Sequence, residues 1–204
     1  MKKVIKKSMF TMLVLLGTGF AHADSSPWSV KIGASDVIPK GDGGTLAGFS
    51  ASTSNDIQFT PSIEYAINPN LSAEVLLATP FTHSVYLDGT KVASFKDLPP
   101  TVSLKYSFPS YNGIKPYFGL GVNYTMLWGE KTYGPLAGEK AHGDNTMGMA
   151  GLVGVQYDIP NTPYGVALDI RRIDIISKMK VDGTKVGDLV VNPWVVGVGG
   201  TYKF

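Results

Sequence analysis

The C-terminal segment of the chain, residues 189–204, alternates between two kinds of residue. Counting back from the end, every second position is apolar, aromatic or glycine: Phe204, Tyr202, Gly200, Val198, Val196 and Trp194. A period of two is the pattern of a β-strand with two unlike faces. Aromatic residues lie at the chain end, where a membrane-spanning strand meets the interface, and this is typical of bacterial outer-membrane barrels. The segment therefore predicts the last strand of such a barrel.

Seven further segments alternate in the same way, which gives eight predicted strands. In the clearest of them, Val102, Leu104 and Tyr106 alternate with serine, threonine and lysine. The predicted strands cover residues 28–39, 56–67, 71–81, 98–108, 114–128, 145–158, 164–179 and 189–204. A membrane protein without helical spans must pair all its backbone groups between strands. We therefore predict an all-β fold, an eight-stranded antiparallel transmembrane β-barrel.

The connections between these strands alternate in length. Three are short, at 68–70, 109–113 and 159–163, and four are longer, at about 40–55, 82–97, 129–144 and 180–188. Short periplasmic turns and longer extracellular loops are the layout of outer-membrane barrels. An even number of strands then places both chain ends on the periplasmic side.

Aromatic residues cluster near the predicted periplasmic side and indicate an interfacial girdle. The set comprises Tyr65, Phe108, Tyr111, Tyr117, Tyr157, Tyr164, Tyr202 and Phe204. A soluble lipocalin-like barrel also has eight strands, but it buries its apolar face inside. The girdle, the terminal aromatic and the polar second face favour lipid on the outside.

The N-terminal residues predict a cleaved secretory signal peptide over 1–23. Lysines at the start precede an apolar run from Met9 to Phe20, and Ala21-His22-Ala23 has the spacing of a cleavage site. The alternative is an amphipathic or membrane-anchoring N-terminal helix. Cleavage would leave residues 24–204 as a single barrel domain and change the formal charge from +2 to −2, because the segment carries four lysines and no acid. That charge gives no reason to expect a nucleic-acid partner.

Charged residues on the inward face predict a polar plug in the lower barrel. The set comprises Glu64, Glu74, Lys105, Asp169 and Arg171. An eight-stranded barrel is only wide enough for side chains or one small ligand, so opposite charges would pair and fill it. Toward the loop end the inward residues become apolar, with Leu76, Ala78, Ala150 and Leu152 as candidate lumen residues. The alternative is that these four are ordinary packing residues.

Three prolines predict a defect in the wall. Pro80 lies near the outer end of the third strand, and Pro99 and Pro100 lie at the outer start of the fourth. Proline has no N–H to donate to a ladder, and unpaired wall is costly in lipid unless it has a use. We expect a lateral gate through which an apolar molecule passes from the lumen into the membrane. The alternative is that the prolines end the strands above the membrane.

Four motifs in this order resemble the OmpW family of small outer-membrane barrels. They are the segments at 78–83, 98–101, 115–124 and 192–197, which read ATPFTH, LPPT, KPYFGLGVNY and NPWVVG. The resemblance covers essentially the whole mature chain. It implies passive uptake of small hydrophobic molecules through an apolar channel with a lateral opening, and it supports the gate at the three prolines. Family members also serve as colicin or phage receptors, and some are linked to stress responses.

The last residues also resemble a recognition signal. Gly199, Tyr202 and Phe204 are spaced like the signal read by the barrel-assembly machinery. A terminal strand offers a free edge that can pair with another sheet. The implied partners are therefore outer-membrane lipid and lipopolysaccharide, the assembly machinery and small hydrophobic solutes.

The sequence gives no support for an enzyme, a metal site or a cofactor. The mature chain has two histidines, His83 and His142, both in predicted outer loops, and a lone loop histidine is usually solvated. The spacing of the candidate ligands fits no metal motif. Two function classes remain. One is an outer-membrane channel for small hydrophobic solutes, and the other is a non-conducting structural or surface-receptor barrel.

Overall fold

The computed structural model describes residues 26–204 of the chain. The signal peptide predicted at 1–23 lies outside the described residues. Within the described range, no helix is both long and apolar enough to cross a membrane. The strands in chain order are β1 (Trp28–Ile38), β2 (Thr45–Leu46), β3 (Phe49–Thr53), β4 (Asp56–Phe59), β5 (Ser62–Ala66), β6 (Leu71–Leu76), β7 (Phe81–Leu87), β8 (Thr90–Leu98), β9 (Thr101–Ser107), β10 (Ile114–Thr132), β11 (Ala141–Gly143), β12 (Thr146–Asp158), β13 (Tyr164–Ile173), β14 (Ile176–Val181), β15 (Thr184–Val190) and β16 (Trp194–Lys203).

Antiparallel strand pairs close a barrel in the part of the molecule next to the short turns. We call this end of the barrel the turn end. Around the wall the order is β1, then β4 and β5 in line, β6, β9, β10, β12, β13 and β16. The last strand pairs with the first from Ser29↔Lys203 to Ile38↔Trp194. The predicted eight-stranded antiparallel barrel is therefore confirmed. Closure satisfies the backbone groups that lipid could not.

The two faces of each strand differ as the alternation predicts. In β9, Thr101, Ser103 and Lys105 are buried, whereas Val102 and Leu104 are 56% and 51% exposed. The same pattern holds in β10, β12, β13 and β16. An apolar belt therefore faces outward around a polar lower interior. This is the arrangement of a barrel in lipid and not that of a soluble lipocalin-like barrel.

One of the predicted girdle aromatics faces the other way. Tyr117 is 4% exposed and points into the barrel. Its position in β10 has the same parity as Gly119 and Gly121, which belong to the inward face. The assignment of Tyr117 to the girdle is therefore wrong, because inward and outward positions alternate along this strand from Ile114 to Trp128.

The segments predicted as long loops contain paired strands. β7 and β8 form one hairpin, and β14 and β15 form another. Their turns are Asp88-Gly89 and Asp182-Gly183, all four residues having φ between 44° and 81°. Such Asp-Gly pairs are the preferred two-residue hairpin turns. With β2, β3 and β11, the two hairpins continue the wall beyond the apolar belt. We call this upper part the extension.

The extension joins the barrel at two interruptions of the strands. At the first interruption, residues 77–80 separate β6 from β7, and residues 99–100 separate β8 from β9. At the second interruption, residues 174–175 separate β13 from β14, and residues 191–193 separate β15 from β16. The predicted strand at 164–179 is thus divided, and the terminal strand begins at Trp194 instead of residue 189.

Candidate functional site

The turn end of the interior holds a network of buried charges. Arg171 donates hydrogen bonds to Glu74 Oε2 and Asp169 Oδ1, both at 2.8 Å. Lys105 Nζ donates to Glu64 Oε2 at 2.6 Å. The five residues predicted for the lower plug therefore lie together. All but Glu64 are at most 4% exposed.

Two further residues complete this network, and sequence reasoning missed both. Lys31 Nζ donates to Asp169 Oδ2 at 2.5 Å, and the Tyr117 hydroxyl donates to the same oxygen at 3.4 Å. The predicted set contained three carboxylates and two cations. Because buried charges persist when they are paired, that imbalance was a signal for an additional inward cation such as Lys31.

The network leaves almost no space for a solute among its own side chains, although a cavity of about 220 Å³ lies at the mouth of the turn end. The gap among its side chains measures about 10 Å³. The Tyr117 ring lies over Gly154 on the neighbouring strand β12 because Gly154 has no side chain, since a Cβ there would lie 2.4 Å from Tyr117 Cζ. The barrel therefore has a closed polar floor.

A layer of uncharged polar side chains lies above the floor. Asn123 Nδ2 donates to the carbonyl oxygens of Pro99 and Pro100, at 3.0 and 3.3 Å. It also donates to Thr101 Oγ1 at 3.0 Å, and Asn123 Oδ1 accepts from Thr125 Oγ1 at 2.6 Å. Asn123 is fully buried. It was not predicted as a site residue, although it is the one amide on the inward face of β10.

The first interruption is a gap in the ladder between two paired regions of wall. On the turn-end side, pairing between β6 and β9 stops at Leu76↔Thr101. On the other side, pairing between β7 and β8 starts at Phe81↔Asp97. Among the hydrogen bonds of the described chain, none joins residues 77–80 to residues 99–100.

The three prolines predicted as a lateral gate all lie at this gap. Pro80 is on one side, and Pro99 and Pro100 are on the other. None has an N–H group to donate across it, and the two carbonyls of the proline pair are bound by Asn123 instead. The strands resume beyond the prolines as β7 and β8. The prolines thus lie within the wall and not at its rim.

The second interruption is bridged. The Ile175 amide donates to Asn192 Oδ1 at 2.7 Å, and the Val191 amide donates to the Ile175 carbonyl at 3.0 Å. The Arg172 guanidinium also donates to the Asn192 carbonyl. Asn192 has a φ of 32°, in the left-handed region that asparagine tolerates better than most residues. Backbone and side-chain hydrogen bonds therefore join the two sides of this interruption.

Two apolar cavities are stacked above the polar layer. The upper cavity lies inside the extension and has a volume of about 390 Å³, with Leu46, Val85, Val92, Ala93 and Met179 among its lining residues. The narrow cavity beneath it has about 20 Å³ and is lined by Pro99 and Leu127 from one side and by Ile175 and Pro193 from the other. The narrow cavity therefore reaches both interruptions from the inside.

The four candidate lumen residues lie below these cavities. Leu76, Ala150 and Leu152 are buried, and Ala78 is half-buried at the first interruption. Leu152 is paired with Arg171 across the ladder, at the level of the charged network. The upper cavity is lined instead by the extension, most of which was predicted to be loops. The narrow cavity is lined by the extension and by the upper ends of barrel strands, such as Val37, Leu127 and Val195.

The two histidines occupy different environments. His142 is exposed at the tip of the extension, near Glu130 and Asp144. Lys180 donates to both carboxylate oxygens of Asp144, which lowers the pKa of that carboxyl below its usual value. His83, by contrast, is 1% exposed and lies in the narrow cavity, 3.4 Å from Asp97. The prediction of a solvated loop histidine is wrong for His83 because its segment is a paired strand.

The chain is similar to known outer-membrane proteins along its whole length. Residues 25–204 match the OmpW family. Outer membrane protein W of Escherichia coli is 31% identical over 214 residues, which cover 100% of both chains. The crystal structure of the outer membrane protein OprG from Pseudomonas aeruginosa has a TM-score of 0.76 and 27% identity, and the match covers 88% of this chain and 97% of that one.

A third relative carries a name that refers to metabolism. The dibenzothiophene metabolism operon protein PahQ of Pseudomonas aeruginosa is 29% identical over 161 residues, which cover 74% of each chain. Family match, identity and fold agree with the closed barrel and its outward apolar belt. The chain belongs to the OmpW family and is an outer-membrane protein.

Proposed function

We propose that this protein is a passive conduit for small hydrophobic molecules, which enter its upper cavity from outside and leave sideways into the membrane at the first interruption. The observation that carries the proposal is the stacking of two apolar cavities on a closed polar floor, with Pro99 lining the lower one. A solute in the narrow cavity would have the charged network below it and the unpaired wall of the first interruption beside it.

The size and lining of the upper cavity support a small apolar solute. Its volume of about 390 Å³ falls within the range of about 300–1,000 Å³ typical of small-molecule sites. Apolar surface in such a cavity is favourable for a solute that water excludes. The name of the relative PahQ refers to dibenzothiophene, which is a compact apolar molecule, and this agrees with the proposed solute class.

The floor supports an exit through the wall instead of through the periplasmic mouth. Moving an apolar solute past Arg171 and its two carboxylates would separate buried charges from their partners, which costs several kcal/mol. At the first interruption no ladder bond has to break. Lateral exit also requires no energy source, because the solute moves from water into lipid.

The other function class is a non-conducting barrel that acts through its surface, as a structural protein or as a receptor. The paired hairpins of the extension favour it, because they would hold the outer tips at Asp88-Gly89 and Asp182-Gly183 in fixed positions. In that case the upper cavity would be a packing defect and the proline gap would have no effect on solute entry.

Assembly requires a further partner. We propose that Gly199, Tyr202 and Phe204 are read by the barrel-assembly machinery before closure. In the closed barrel β16 is paired on both sides, with β1 and β13, so a free strand edge would exist only earlier. Lipid and lipopolysaccharide would then surround the apolar belt.

The test is solute entry into vesicles whose outer leaflet is lipopolysaccharide, because that leaflet resists apolar molecules. N-phenylnaphthylamine is added outside, and its fluorescence reports arrival in the membrane. We expect faster entry with the protein than without it. Replacing Pro80, Pro99 and Pro100 with valine supplies three N–H groups to the gap and should return entry to the protein-free rate.

The matched control is Pro193→Val, which makes the same change at the bridged second interruption and should leave entry at the wild-type rate. Equal entry in the triple variant and the wild type would exclude the lateral gate. Equal entry with and without wild-type protein would exclude the conduit altogether and leave the surface-acting barrel.

A further inference from the structure

A polar pair stands alone in the apolar path through the barrel. His83 and Asp97 face each other across the β7–β8 hairpin, and their side chains are 1% and 7% exposed. His83 lies between Phe81 and Phe95, whose ring centroids are 6.1 and 5.8 Å from that of the imidazole. Burying two ionisable groups among aromatic rings is costly unless they have a use.

One polar atom of each side chain in this pair has no hydrogen-bond partner in the described part of the chain. His83 Nδ1 lies 2.6 Å from the Ser54 carbonyl oxygen, which can only accept, so Nδ1 carries a proton. His83 Nε2 and Asp97 Oδ1 are 3.4 Å apart, and both are buried without a hydrogen-bond partner within the described residues. One further proton, held at Nε2 or on the carboxyl, makes one of these two groups a donor and leaves the other an acceptor.

The remaining polar groups of the narrow cavity are already bound. Thr125 Oγ1 donates to Asn123 Oδ1 at 2.6 Å, and Ser177 Oγ donates to the Asp144 carbonyl at 2.7 Å. The other lining side chains are mainly apolar. The unsatisfied hydrogen-bonding atoms that line this cavity therefore lie next to each other, on the imidazole and the carboxylate.

We infer that His83 and Asp97 bind the hydroxyl group of an amphipathic solute, an alcohol or phenol with an apolar body. A hydroxyl both donates and accepts, so it can engage both partners at once. The narrow cavity of about 20 Å³ has room for a group of that size, while the 390 Å³ cavity above it would hold the body. Pro99 lines the same narrow cavity, so the head would lie beside the gap. This inference rests on the proposed function and narrows its solute class.

The test compares decan-1-ol with decane, which share a chain length and differ by the hydroxyl. Binding to the full chain in lipid nanodiscs is measured by titration calorimetry. In the double variant His83→Phe, Asp97→Leu, which keeps the aromatic packing and removes both polar groups, we expect roughly tenfold weaker binding of decan-1-ol, since a net hydrogen bond corresponds to up to about that factor. Decane should bind the variant and the wild type alike, and His142→Phe should behave as wild type for both solutes.

A second measurement on the wild type does not depend on how the variant folds. With ¹⁵N-labelled histidine, decan-1-ol should shift the His83 Nε2 resonance and leave that of His142 unchanged, and decane should shift neither. An alcohol that leaves His83 unshifted, or a variant that weakens both solutes equally, would overturn the inference while the conduit stands. Failure of the wild type to bind either solute would overturn the conduit as well.

Discussion

The two interruptions of the wall contain similar residues and are built differently. At the second, the strand register is the same on both sides, with Arg172↔Trp194 below and Ile176↔Val190 above, and Asn192 provides the missing acceptor. At the first, the proline carbonyls are held by Asn123 on the neighbouring strand β10, and no hydrogen bond among residues 26–204 spans the gap. A proline alone therefore does not open a wall, since Pro193 lies in the bridged one. The ladder is left unbridged where prolines lie on both sides of the gap and the carbonyls of the proline pair are bound by the neighbouring strand.

Among substitutions at the two interruptions, Asn123→Leu should cause the largest loss in the free energy of unfolding. The change removes one hydrogen bond from each carbonyl of Pro99 and Pro100, and it leaves the buried hydroxyl of Thr125 without its acceptor. The Pro99 carbonyl keeps the bond from Thr101 Oγ1, and the Pro100 carbonyl keeps the bond from the Tyr124 amide. Because each buried unsatisfied group costs about 1–3 kcal/mol, we expect the free energy of unfolding to fall by about 3 kcal/mol, measured by urea unfolding in phosphatidylcholine vesicles.

The control for that variant is Thr125→Val, which removes one donation to Asn123 and should cost only about 1 kcal/mol. A fall of equal size in both variants would mean that the bond between Thr125 and Asn123 accounts for the loss, and not the bonds to the proline carbonyls. Solute entry in Asn123→Leu should be at least as fast as in the wild type.

A smaller loss is expected from Asn192→Ala at the second interruption. Alanine removes the acceptor of the Ile175 amide and tolerates the left-handed conformation poorly, which together should cost about 2 kcal/mol. Urea unfolding measures the loss. Solute entry should not change, and faster entry would show that the second interruption is a competing opening.

The smallest effect should come from Arg172→Met, at about 1 kcal/mol. Arg172 donates to the Asn192 carbonyl and its guanidinium carbon lies 5.4 Å from the centre of the Trp194 ring. Methionine keeps the length of the side chain and removes both interactions. Arg172→Lys keeps the charge near the ring and should lose less in the same unfolding measurement. Equal losses would mean that the planar guanidinium bridges the interruption by itself.

The sequence predicted the barrel strands well because their signal is local. In β9 the alternation of Thr101, Val102, Ser103 and Leu104 is read without knowing what the strand pairs with. The charged residues of the floor were predicted for the same reason, since parity along each strand assigns them inward. Lys31 also occupies an inward position of its strand, and the excess of carboxylates in the predicted plug would have been a reason to include it.

The extension was not predicted, and the apolar space above the floor was predicted with other lining residues. Connection length suggested loops, while the Asp-Gly pairs at 88–89 and 182–183 marked hairpins. The burial of His83 follows from the β7–β8 pairing, and its contact with Asp97 joins residues on different strands. The alternation of positions along a strand assigns a side chain to one face. Only the pairing register of the strands decides which side chains on that face are in contact.

By itself, the sequence determined the class of this protein. Alternating faces, a terminal aromatic and three prolines are local features, and they indicate a lipid-facing barrel with a gap in the hydrogen-bond ladder of its wall. Only the tertiary structure decided which interruption is bridged, where the apolar space lies and that a histidine and an aspartate meet inside it. The physical reason is that hydrogen-bond satisfaction is a property of pairs. The bond from Asn123 to the Pro99 carbonyl, for example, joins residues that are distant in the chain and adjacent only in the folded wall.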